Sequence, residues 1–119
     1  MFISALTIVL GAFGAHALEK IVPPESVASY EVGVQYQMYH SIALLILGLM
    51  PLADTYRNRI FWIFLTGIIC FSGSIYLFTF KTHLNFEVGK LGLITPLGGI
   101  LFIIGWIYWG LSILRSKKN

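Results

Sequence analysis

Charge is scarce in this chain, and so is cysteine. Only 11% of its 119 residues are Asp, Glu, Lys or Arg, against roughly 25% in soluble domains. That leaves too little polar surface to cover a water-soluble fold, so lipid has to act as its solvent. A single cysteine, Cys70, excludes an internal disulfide, a CxxC redox pair and a cysteine-rich metal site. Lying inside an apolar run, it reads as a small buried thiol. Carboxylates are missing where intramembrane chemistry needs them. Glu19, Glu25, Glu31, Asp54 and Glu87 all fall in connections or at a helix entrance. A four-helix proton-coupled exporter needs an ionisable carboxylate within the membrane, which argues against that class. Ser72 and Ser74 have no acid–base partner nearby in sequence, so nucleophilic catalysis has no support.

What the chain does have is apolar length. Hydrophobic residues make up 57% and the mean hydropathy is +0.82. Residues 1–18, 32–53, 60–80 and 91–114 contain no Asp, Glu, Lys or Arg. Each comes close to the roughly 20 residues a spanning helix needs. The expected fold is all-α: a four-helix transmembrane bundle forming one integral membrane domain over 1–119. Its helices are expected near 2–18, 25–53, 60–80 and 91–114. The first run starts at Met1 with no basic segment ahead of it, so it reads as a retained helix rather than a cleaved signal despite Ala15-His16-Ala17. Pro23 and Pro24 break the chain and open helix 2, while Pro51 reads as a kink near its far end. The segment "DTYRNR", residues 54–59, reads as a polar turn.

The net charge of +3 is not a nucleic-acid signature. Arg115, Lys117 and Lys118 follow the last apolar run and suit headgroup anchoring. Five of the eight basic residues lie on the side that the termini would share with the 54–59 turn. By the positive-inside rule, both termini are expected in the cytoplasm.

Helix 2 poses the specific question. Its purely apolar part, Ser41–Ala53, spans only about 20 Å. It must therefore draw "VQYQMYH" (34–40) into the span. Tyr36, Gln37 and His40 share a face with Gly33, and that face should point inward, because unpaired amide or imidazole groups in hydrocarbon are costly. His16 joins them as a candidate polar intramembrane cluster, with helix 1 near Ala12–His16 as the expected neighbour of His40. Small residues mark close contacts between helices in lipid. The candidates are Gly11, Gly14, Ala15, Gly67, Gly73, Ser74, Pro96, Gly98 and Gly99. Helices 1 and 4 each offer two small-residue faces, so each is expected to touch two neighbours; self-association is a further option. His16, His40 and His83 are scattered over three elements without ligand spacing, so no metal, haem or other cofactor is expected.

Four segments, "LGAFGAHAL" (10–18), "VQYQMYH" (34–40), "FSGSIYL" (71–77) and "LGLITPLGG" (91–99), together with "GW" at 105–106, resemble the YgdD-like family of small bacterial membrane proteins of unknown function, relatives of animal transmembrane protein 256. The resemblance covers essentially the whole chain in order. It implies a four-helix inner-membrane protein and carries no activity with it. The expectation is thus a non-enzymatic structural or partner-binding envelope component. The alternative is a small oligomeric carrier or channel that uses the polar face of helix 2.

Overall fold

The computed structural model describes residues 1–81 and 91–118. The connection at 82–90, with His83, and Asn119 lie outside the described residues. Four helices carry the fold: α1 (Phe2–His16), α2 (Pro24–Leu49), α3 (Asp54–Thr79) and α4 (Leu91–Lys118). A short 3-10 turn, Leu18–Lys20, follows α1. There is no strand among the described residues. Three helices are long and apolar enough to cross a membrane, and α1, at 15 residues, is shorter.

The helix ends differ from the sequence reading where local chemistry overrides apolar runs. Pro23 sits in extended backbone and its carbonyl accepts from the N–H groups of Ser26 (3.0 Å) and Val27 (3.2 Å), so α2 starts on Pro24. Pro51 ends α2 rather than kinking it. Met50, just ahead of it, is forced into extended backbone (φ −79°, ψ 141°), and the helix stops at Leu49. The segment 54–59 is not a turn. It forms the first turns of α3, with Asp54 where a negative charge favours a helix start. Arg57 then reaches back to Asp54 Oδ1 (2.5 Å) and to the carbonyls of Met50 (3.1 Å) and Leu52 (2.9 Å), closing the α2–α3 hairpin. α1 ends at His16 rather than Leu18, and α4 runs through Pro96 and on to Lys118.

The helices alternate in direction. "Proximal" here means the end where α1 starts and α4 finishes, and "distal" the opposite end. α1 packs on α2, with Ser4 Oγ donating to Ser41 Oγ (3.0 Å) near the proximal end and Tyr30 Oη donating to the Leu10 carbonyl (2.6 Å) farther along. α2 packs on α3, and α3 on α4. The result is a flattened bundle, 55 × 28 × 17 Å. Among the described residues α1 packs along α2 alone, apart from Phe13 against Phe80 (ring centroids 6.2 Å). The expected second neighbour of α1 is therefore not found, and Ala15 is exposed.

Glycine seams set the helix spacing. A Cβ on Gly14 would lie 2.7 Å from the Tyr30 ring, on Gly67 2.7 Å from the Phe102 ring, and on Gly98 2.7 Å from Phe71 Cβ. Gly105 lies equally close to Phe64, and Gly11 more loosely against Val34. Ser74 is buried and hydrogen-bonds Thr95 of α4. Three other packing candidates fail. Gly73 has open space where a side chain would go, Gly99 meets only the Phe71 ring at 3.9 Å, and Pro96 is exposed. A helix can carry more small residues than its seams use, as α1 and α4 do with two small-residue faces each, and only one face can meet a given neighbour.

One turn of α3, Ile69–Gly73, is a π turn, wider than an α turn. From it Ser72 Oγ donates to the Gly33 carbonyl of α2 (2.7 Å), while Phe71 lies against Gly98 of α4. The main core gathers Leu47, Ile60, Phe64, Ile68, Phe102 and Trp109 around that α3 centre. A second, smaller core joins Leu18, Val22 and Tyr30, while other apolar side chains, such as Ile103 and Ile107 of α4, point outward, as expected for a surface solvated by lipid chains.

Candidate functional site

The polar face of α2 lies at the middle of the span, not at its rim. Because α2 is helical from Pro24, Tyr36 and Gln37 sit about 18 Å from either end of that helix. Gln37 is 3% exposed and His40 4%. Burial that deep makes an unpaired donor or acceptor expensive, and these side chains are paired.

His40 uses both ring nitrogens. Nδ1 donates to the Tyr36 carbonyl one turn back (2.7 Å), and Nε2 accepts from Trp106 Nε1 of α4 (3.1 Å). A carbonyl can only accept and an indole can only donate. The imidazole is thereby fixed as the neutral Nδ1–H tautomer. Its ring stacks on Phe102 at 3.6 Å between centroids and meets Phe64 edge-on at 5.2 Å. Gln37 Oε1 accepts from Tyr76 Oη of α3 (2.6 Å), and the Tyr76 ring leans on Tyr30 at 5.2 Å. α2 is thus tied to α4 by His40, to α3 by Gln37 and by the Gly33 carbonyl, and to α1 by Tyr30 and Ser41.

The partner of His40 is Trp106, not helix 1. The antiparallel pairing of Ser4 with Ser41 sets His40 level with the start of α1, about 18 Å along the helix from His16. His16 is exposed at the end of α1 and takes no part in this cluster. Tyr36 contributes its ring, packed on Phe71 at 4.8 Å, and is 39% exposed. The sequence reading missed Trp106, Tyr76, Ser72 and Tyr30. A signal for Trp106 was available: Gly98, Phe102 and Gly105 follow one another at i, i+4 and i+7, so the residue beside Gly105 borders the α3 seam.

Beside the His40–Trp106 pair, a groove of about 440 Å³ lies where α2, α3 and α4 meet, walled by Tyr36, Phe71, Pro96, Ile100 and Phe102. Its wall is mostly ring and aliphatic carbon. No set of three or more His, Cys, Asp or Glu side chains among the described residues is placed to hold a metal ion. With both nitrogens committed, His40 is a poor ligand and a poor proton shuttle. What this arrangement does chemically is fix the positions of the helices relative to one another.

Comparison with known proteins identifies the family. The family described as "Protein of unknown function (DUF423)" matches residues 10–99. A UPF0382 membrane protein of Staphylococcus aureus is 43% identical, the match covering 82% of this chain and 76% of that protein. The UPF0382 membrane protein YwdK of Bacillus subtilis is 40% identical over 86% of this chain and 81% of its own length. One from Haemophilus influenzae is 38% identical over 93% and 86%. No solved structure matches. Neither the family description nor these relatives' names indicate an enzyme. The chain is a helical membrane protein and belongs to the DUF423 family, the small bacterial membrane family to which its sequence motifs pointed.

Proposed function

We propose that this protein is a non-enzymatic component of the bacterial inner membrane, with both termini cytoplasmic, acting by binding a membrane partner rather than by moving a solute. The observation that carries this reading is the internal use of the α2 polar face. His40, Gln37 and Ser41 are each hydrogen-bonded to another helix. A carrier or channel needs polar groups free to replace a solute's hydration. Here those groups hold helices together, and the groove beside them is walled mostly by rings and aliphatic carbon. An oligomeric carrier would have to build its path from surfaces other than this one.

The test pairs two measurements on the same preparation. Proteoliposomes should show no ion or small-solute flux above empty liposomes. Cross-linking in intact cells from a photoreactive residue at Ile103, on the groove rim, should give a discrete heterologous adduct. Protein-dependent flux abolished by His40→Phe would overturn the proposal in favour of the carrier.

A further inference from the structure

Two cavities at the distal end of the bundle adjoin each other. The upper, about 240 Å³, is lined by Glu25, Ser26, Ser29, Phe78, Thr79 and Lys81. The lower, about 320 Å³, shares Ser29 and Phe78 with it and adds Val32, Ile75 and Thr95. Together they form one groove between the start of α2 and the end of α3. It is charged at its mouth and apolar below. Val32 follows Glu25 by seven residues, so the groove descends about 10 Å into the span. That gradient, charge at the helix ends and hydrocarbon beneath, is the gradient of a phospholipid.

The mouth is built for two charges at once. Glu25 and Lys81 line the same cavity without pairing to each other: the ion pair found among the described residues is Arg57–Asp54, at the opposite end of the bundle. The Ser26 and Ser29 hydroxyls also make no side-chain hydrogen bond among the described residues, whereas Thr79 spends its hydroxyl on the Ile75 carbonyl (2.9 Å). A carboxylate, an ammonium and two uncommitted hydroxyls thus line one cavity at the distal ends of the helices. The complementary ligand carries an ammonium and a phosphate a few atoms apart, above an acyl chain.

We propose that this groove binds phosphatidylethanolamine. Its ammonium pairs with Glu25, its phosphate with Lys81 and the Ser26 and Ser29 hydroxyls, and one acyl chain lies along Val32, Ile75 and Phe78. Lys81 draws any phospholipid, because every headgroup phosphate is an anion. Glu25 selects among them. Phosphatidylglycerol offers it no cation, and the quaternary nitrogen of phosphatidylcholine has no N–H to donate.

Native mass spectrometry of the full chain, released from mild detergent with equal amounts of the three lipids, tests this. Phosphatidylethanolamine should be retained about fivefold over either competitor, which is about 1 kcal/mol, the scale of one charge pair near a membrane surface. Glu25→Gln should bring the ethanolamine-to-glycerol ratio to about one. Lys81→Gln should lower retention of both lipids while keeping their ratio. Val32→Trp, which fills the trough, should lower retention of all three lipids without changing their order. A probe that needs no mutant is N-acetylated phosphatidylethanolamine, whose nitrogen is uncharged; the wild-type chain should treat it like phosphatidylglycerol. Equal retention of all four lipids by the wild-type chain, or a preference that survives Glu25→Gln, would refute the assignment.

Discussion

Gly98→Ala and Gly99→Ala each add one methyl group to adjacent residues of α4, and opposite outcomes are expected. At Gly98 the new carbon would sit 2.7 Å from Phe71 Cβ and 2.8 Å from Phe71 Cα, and also against the Phe71 backbone nitrogen. Most of that contact is backbone, which cannot rotate aside. Since carbon atoms pack best at about 3.5–4.0 Å, α3 and α4 would have to part by roughly 1 Å. That shift would loosen the Gly67–Phe102 and Gly105–Phe64 contacts along the same seam. Overpacking of this kind costs about 1–3 kcal/mol. At Gly99 the nearest atoms are Phe71 ring carbons at 3.9 Å, an ordinary contact. Both substitutions also gain about 1 kcal/mol of helix propensity. Because the clash at Gly98 is mostly with backbone, its cost falls in the upper half of that range, so the balance predicts Gly98→Ala to be destabilised by about 1–2 kcal/mol and Gly99→Ala to be neutral or more stable by up to about 1 kcal/mol. Equilibrium unfolding in mixed micelles, titrated with SDS, measures the difference. If the two variants shift together, or Gly98→Ala matches the wild type, the α3–α4 seam is not closed as described.

Three other expectations concern the His40–Trp106 pair and the orientation of the chain. A double-mutant cycle of His40→Phe and Trp106→Phe should give a coupling near 0.6 kcal/mol, and no more than about 1.7 kcal/mol, while His40→Asp should be worse tolerated than His40→Phe because it buries an unpaired charge. With Cys70 replaced by Ser, single cysteines at Glu19 and Asn58, both exposed, should be labelled by a membrane-impermeant maleimide from opposite sides of the membrane. Asn58→Cys labelled from outside intact cells would invert the proposed orientation.

The four helices were legible because lipid imposes a simple rule: long runs without charge become helices. Their ends were less so. The segment 54–59 looks like a loop to any reading that equates charge with connection, yet a helix tolerates Asp54 in its first turn and lets Arg57 fold back on the hairpin. Part of the inward face of α2 was also readable, since i, i+4 and i+7 spacing puts the buried Gly33, Gln37 and His40 together whatever surrounds them, whereas Tyr36, expected to point inward with them, is exposed. Which helix meets that face was not. Gly- and Ala-rich α1 is as plausible a neighbour as α4 in one dimension. Only the antiparallel pairing through Ser4–Ser41 and Tyr30–Leu10 shows that α1 takes another side of α2. Gly73 and Ala15 misled for a related reason: in a membrane a small residue can face lipid at little cost, so its presence alone does not mark a seam.

The π turn at Ile69–Gly73 bears on how chains of this kind can change length. It holds one residue more than the neighbouring seams require, while Phe71 stays on Gly98, Ser72 on the Gly33 carbonyl and Ser74 on Thr95. A surplus residue elsewhere in α3 would swing everything beyond it round the helix by about 100°, pulling Tyr76 away from Gln37. Housed as a bulge beside Gly73, where there is open space, the surplus leaves both flanks in phase. This turn is therefore the place in α3 where an insertion or deletion can be absorbed without re-pairing the bundle, and gaps between relatives should collect there.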